Sequence, residues 1–174
     1  MKYLLTALLA LLSTQAFAEL SMNGDHGFTV THSIDTAAAP FVAYRTMTSH
    51  VNQWWSKDHT WSGNAANLYM ELDMEKGACF CERLTGRGVA EHLRIIYYSA
   101  GDEVRFDGAL GPLQTMPVNG RMIWKIEPLE GGSRITFTYH VFGHVDGGLQ
   151  NIAPAVDGVI GEQIQNLLRR LSAN

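Results

Sequence analysis

Residues 149–171 read LQNIAPAVDGVIGEQIQNLLRRL. Leu149, Ile152, Val156, Val159, Ile160, Gln163, Ile164, Leu167, Leu168 and Leu171 recur there at three- and four-residue spacing, the stripe of a long amphipathic helix. Pro154 and Gly158 cost helix stability near its start, which predicts a kink or a broken first turn. Arg169 and Arg170 fall near its end, where the helix dipole favours cations. A helix with one apolar stripe needs a surface on which to bury it, and the preceding residues supply one.

Working back from the helix, residues 134–142 and 118–127 form a predicted hairpin around Glu130-Gly131-Gly132. Before them, Val104 and Phe106 alternate with Glu103, Arg105 and Asp107, and residues 89–98 and 78–84 read as two more strands separated by glycines. Leu68, Met70, Leu72 and Met74 alternate with Tyr69, Glu71, Asp73 and Glu75, the cleanest in-out pattern in the chain. Residues 56–67 are polar and read as a loop. Upstream lie a short helix carrying Val51, Trp54 and Trp55, and a first helix over 37–48 with Pro40 in its first turn. Phe28, Val30, His32 and Ile34 form one face of the earliest predicted strand. The fold class is therefore α+β: a curved antiparallel sheet of about seven strands wrapped on a long C-terminal helix, with two short helices between the first and second strands. A sheet so curved leaves room for a cavity against the helix.

The first residues have a different character. Lys2 precedes a short run of leucines and alanines, Ser13-Thr14-Gln15 ends it, and Ala16-Phe17-Ala18 has the small-x-small form of a cleavage site. The run is shorter than the ~20 apolar residues of a membrane-spanning helix. Residues 1–18 are thus expected to be a signal peptide and 19–174 a single domain, periplasmic or secreted, with no membrane span in the mature protein. Removing Lys2 from the 13 basic and 17 acidic residues leaves 12 against 17, a net charge of −5. That balance argues against nucleic acid as a partner, because phosphate backbones demand clustered lysine and arginine. Cys79 and Cys81 stand one residue apart; in a regular strand their Cα atoms would lie ~6.5–7 Å apart, at or beyond disulfide reach. They are expected to be buried free thiols or part of a site.

Several stretches carry a resemblance to a known superfamily: Trp54-Trp55 with His59 beyond, Gly77 to Glu82, Glu91-His92, Gly108 to Gln114, and Val156-Asp157 in the final helix. In these the chain resembles the SRPBCC, or START-like, superfamily, and within it the group related to activators of a heat-shock chaperone's ATPase, with an exported bacterial subgroup of unknown activity. The resemblance spans residues 27–171 and implies the helix-grip fold. That scaffold hosts lipid carriers, hormone binders, cyclases and co-chaperones, so it does not by itself assign a function. An exported chain would meet neither the cytoplasmic chaperone nor its ATP, so that partner is not expected.

The leading expectation is an exported binding protein that holds a small apolar or amphipathic molecule between sheet and helix, without a cofactor. Its inward-facing candidates are His32, Trp54, His59, Phe80, Phe106, Met122, Trp124 and Tyr139. Adjacent tryptophans on a helix point about 100° apart, so at most one of Trp54 and Trp55 faces a ligand. Glu82 and His92 fall on neighbouring strands, and a carboxylate beside an imidazole in an apolar cavity is a candidate acid–base pair. The enzyme alternative is therefore a cofactor-free cyclase, hydratase or isomerase using Glu82 and His92. Arg94, two residues beyond His92, is a rival partner for Glu82 in a regular strand. The segment Cys79-Phe80-Cys81-Glu82 leaves two parities open: thiols inward, or Phe80 and Glu82 inward. The first would place the thiols near His59 and His92 as a thiol or metal site, but the spacing matches no compact zinc motif, and no metal is expected. No nucleophile elbow, phosphate loop or dinucleotide glycine pattern is present.

Overall fold

The computed structural model describes residues 16–173. Most of the expected signal peptide lies outside the described residues; its last three, Ala16–Ala18, belong to the first strand. The strands are β1 (Ala16–Met22), β2 (Gly27–Thr36), β3 (Leu68–Glu71), β4 (Cys79–Leu84), β5 (Gly88–Ser99), β6 (Glu103–Asp107), β7 (Val118–Leu129) and β8 (Gly132–Gly143). The helices are α1 (Pro40–Ser49) and α2 (Ala153–Ser172). All eight strands join one antiparallel sheet in the order β1-β2-β8-β7-β6-β5-β4-β3. The α+β, helix-grip architecture expected from the sequence is present. The β2–β3 connection, with α1 and several 3-10 turns, carries the chain from one side of the sheet to its far edge.

Three local differences from the sequence expectation have physical causes. The sheet gains an eighth strand because Ala16–Met22 pairs along β2 from Ile34 to Phe28. The alternation over 68–75 stops at Glu71: the Asp73 side chain accepts the Glu75 N–H at 3.0 Å and folds residues 74–76 into a 3-10 turn. At the last helix the break falls before Ala153, after a 3-10 turn over Leu149–Asn151. Pro154 then sits in the first turn, where its missing N–H goes unneeded, and the helix continues through Gly158.

The centre of the sheet is filled. Trp124 and Phe137, directly opposed on β7 and β8, stack with centroids 4.7 Å apart. Phe106 and Trp54 close on Trp124 at 4.8 and 5.5 Å, edge to face. The Trp124 indole N–H donates to Met122 Sδ, and that of Trp54 to the Thr46 carbonyl. Ile160, Ile164, Leu167 and Leu171 of α2 are buried on the same side. Two close approaches depend on glycine. A Cβ at Gly120 would lie 2.5 Å from the Tyr139 ring, and one at Gly161 would lie 2.8 Å from the His32 ring.

Candidate functional site

β5 changes phase, and that builds the site. Phe80 pairs with Leu93 but Cys81 pairs with Glu91, so His92 is an extra residue on β5. Alternation is broken there: His92 and Leu93 are both buried, while Glu91 and Arg94 stay exposed. The bulge turns His92 toward β4, where its Nε2 lies 2.9 Å from Glu82 Oε2. Arg94 pairs with Glu91 instead of Glu82, which corrects the rival pairing that a regular strand would allow.

The cysteines lie at the same irregularity. Their Cα atoms are 5.5 Å apart, closer than regular i, i+2 spacing, and Cys79 and Cys81 form a disulfide. The expected free thiols and the thiol site are therefore corrected: the two cysteines are bridged, at the point where the register between β4 and β5 shifts. Phe80 and Glu82 are the residues that face inward. Phe80 packs against Trp55 at 4.9 Å and against His92 at 5.1 Å between ring centroids. Among the described residues no group of three or more histidine, cysteine or acidic side chains is arranged to hold a metal ion.

Glu82 is fully buried and receives three donors: the backbone N–H of Trp61 at 2.8 Å, that of Ser62 at 2.6 Å, and the His92 ring. Burial pushes its carboxyl upward, but the hydrogen bonds from Ser62, Trp61 and His92 outweigh that and hold it below the usual carboxylate range. Burial also pushes the His92 imidazole below its ordinary value, against the opposing pull of Glu82.

Beside His92 lies a cavity of about 420 Å³, a size typical of small-molecule sites. Three segments wall it: the loop carrying Trp55, His59 and Trp61, the rim loop carrying Leu110 and Pro112, and the first half of α2 with Val156 and Ile160. Each loop is tied down by side chains of regular elements. Gln163 of α2 accepts the Ser56 N–H at 2.7 Å, and Glu162 pairs with His59 at 2.9 Å. That contact with His59 holds the Glu162 carboxyl low. The Tyr139 hydroxyl accepts the Leu110 N–H at 2.9 Å and donates to the Gly108 carbonyl at 3.1 Å. Burial drives the Tyr139 hydroxyl up to about 12, so it stays protonated. Gln114 donates to the Glu91 carbonyl at 2.7 Å, anchoring the rim to β5.

Of the residues singled out from sequence, His59 and His92 stand on the cavity wall, and Glu82 lies directly behind His92. Phe80, Phe106, Met122 and Trp124 are sealed in the packed centre, and Trp54 packs with them. Tyr139 is buried but reaches the rim through its hydroxyl. His32 bonds Asp157 of α2 at 2.8 Å and joins helix to sheet away from the cavity. The wall tryptophans are Trp55 and Trp61. The expected second helix is only a 3-10 turn over Val51–Gln53, so Trp54 and Trp55 follow it outside any helix and the expected helical separation does not apply; nothing in the local pattern marks Trp61.

No protein-family description and no curated protein matches the sequence. Solved structures match its shape. A di-domain ARO/CYC, StfQ, from the steffimycin biosynthetic pathway superposes with a TM-score of 0.58 at 13% identity, over 86% of this chain and 50% of that one. The present chain thus spans about half of that protein. CalU16 from Micromonospora echinospora gives 0.57 at 9% identity, over 90% and 82% of the two chains. Protein MLL2253 from Mesorhizobium loti gives 0.58 at 11% identity, over 84% and 98%. At these identities the likeness is one of fold, and the fold is the one that the sequence pattern predicts.

Proposed function

We propose that this chain is an exported, SRPBCC/START-like binding protein that holds a small apolar or amphipathic molecule between the first half of α2, the two wall loops and His92 of β5. The observation that carries this reading is the cavity of about 420 Å³, walled by Trp55, Trp61, Leu110, Pro112 and Val156 with one buried imidazole on its surface. Apolar walls supply affinity by burying ligand surface, and a single polar group fixes orientation. Among the described residues no helix is long and apolar enough to cross a membrane. Export rests on the pattern of residues 1–18, and cleavage after Ala18 would leave Glu19–Met22 as the remainder of β1. The test is native mass spectrometry of protein recovered from the producing cell's own compartments, followed by solvent extraction. A chain beginning at Glu19 with a stoichiometric small molecule is the expected result; an empty chain beginning at Met1 and retained in the cytoplasm contradicts it.

A second reading is favoured by the 2.9 Å contact between Glu82 and His92. A carboxylate that orients an imidazole at a cavity wall is the arrangement of a general base, and the ARO/CYC similarity in fold makes a cofactor-free cyclase, hydratase or isomerase the matching reaction class. In that reading His92 moves the proton and Glu82, which does not reach the cavity, positions it. Turnover that His92→Gln abolishes while ligand affinity persists would establish the enzyme over the carrier.

A further inference from the structure

Glu82 determines which nitrogen of His92 faces the ligand. Backbone N–H groups can only donate, and two of them occupy both Glu82 oxygens, Ser62 on Oε1 and Trp61 on Oε2. Held ionised by these donors, the carboxylate can only accept toward His92 too, which places the ring hydrogen on Nε2. Nδ1 is left with a lone pair. It has no hydrogen-bond partner among the described residues, and none of their buried side-chain nitrogens or oxygens is left unpartnered. Nδ1 therefore reaches open space, and the space beside His92 is the cavity.

The rest of the wall repeats this preference. It carries no lysine or arginine. Its one carboxylate is Asp58, which pairs with Lys57 just outside the wall, and the His59 imidazole is engaged by Glu162. An anion entering here meets the His92 lone pair and the Asp58 carboxylate, with no lysine or arginine on the wall itself to receive it, while an uncharged hydroxyl meets an acceptor in apolar surroundings. Such an acceptor discriminates strongly, because a ligand without a donor leaves it desolvated and unpaired.

The geometry points to a cavity that selects a neutral, hydroxyl-bearing apolar compound whose O–H donates to His92 Nδ1, and that disfavours the carboxylate of the same carbon frame. This rests on the reading of the cavity as a small-molecule site and narrows it, since it removes fatty acids and other carboxylates from the candidate cargo.

The test is calorimetric titration of the purified protein at neutral pH with 2-naphthol, naphthalene and 2-naphthoate. The expected order is 2-naphthol about tenfold tighter than naphthalene, with 2-naphthoate weakest. His92→Phe is expected to remove the advantage of 2-naphthol and keep naphthalene binding. Should that variant not fold, nitrogen-15 NMR of the wild-type imidazole gives the same answer: a protonated Nε2 and an unprotonated Nδ1 that shifts on adding 2-naphthol. Equal binding of 2-naphthol and naphthalene, tightest binding of 2-naphthoate, or a proton on Nδ1 would overturn the selectivity and leave the cavity reading standing. Binding of none of the three would overturn both.

Discussion

The middle of the sheet and the loop-walled cavity beside His92 are built from similar residues and reach opposite outcomes. In the middle, Trp124, Phe137, Phe106 and Trp54 pack ring against ring. At the cavity, Trp55, Trp61, Leu110 and Pro112 surround an opening of about 420 Å³. The difference lies in what holds the side chains. Trp124, Phe137 and Phe106 stand on paired strands and pack directly on one another, with Trp54 of the β2–β3 connection laid over them. Wall residues stand on loops whose backbone is fixed from outside by Glu82, Gln163 and Tyr139, so they need not collapse together to be ordered. Aromatic content alone therefore does not locate a pocket; the origin of the restraint does.

Four changes would break or sharpen this contrast. The largest effect is expected from Trp124→Ala, which empties the packed centre and should cost about 3–5 kcal/mol in denaturant unfolding; a loss below about 1 kcal/mol would mean that the centre is not the source of stability. Glu82→Gln should cost about 2–3 kcal/mol, because its amide NH2 would oppose N–H donors that the carboxylate now satisfies. Hydrogen exchange should then accelerate at Trp61 and Ser62 and leave β7 and β8 unchanged.

Acid should separate the same two regions more gradually. Both His92 and Glu82 are held below their ordinary values in the folded chain, so between the folded and unfolded values the unfolded chain binds more protons and stability rises with pH. The His92 contribution is complete above about pH 6.5 and is lost as pH falls from there; that of Glu82 is complete well above about pH 4.3 and is lost on further acidification. A plot of urea midpoint against pH should show both steps, and His92→Gln should delete the upper one. The smallest effect belongs to Tyr139→Phe. Losing the hydroxyl that bridges Leu110 and Gly108 should cost about 1–2 kcal/mol. Faster exchange confined to the Leu110 amide would show that the rim is held from the sheet; unchanged exchange there would show that it is not.

The fold was legible because periodicity carries it: the alternation in β6 to β8 and the three-four stripe of α2 follow directly from burial on one face. The strand β1 was not legible, since Ala16-Phe17-Ala18 also has the form of a cleavage site. The site was half legible. Glu82 and His92 could be named together because adjacent strands place them side by side. Their convergence depends on a bulge, and the disulfide on a local shortening of β4, neither of which a two-residue period reveals. Phe106, Met122 and Trp124 were expected on a cavity wall because they point inward. Inward meant core, because the aromatic rings were large enough to fill the centre.

Glu82 anchors Trp61 and Ser62 with the same two oxygens that orient His92. For anyone wishing to retune the pocket to a new cargo, that makes it the wrong position to edit, since any replacement alters the shape of the wall together with its chemistry. Val156 and Pro112, which touch the cavity without such ties, are the positions where specificity can be rewritten one step at a time.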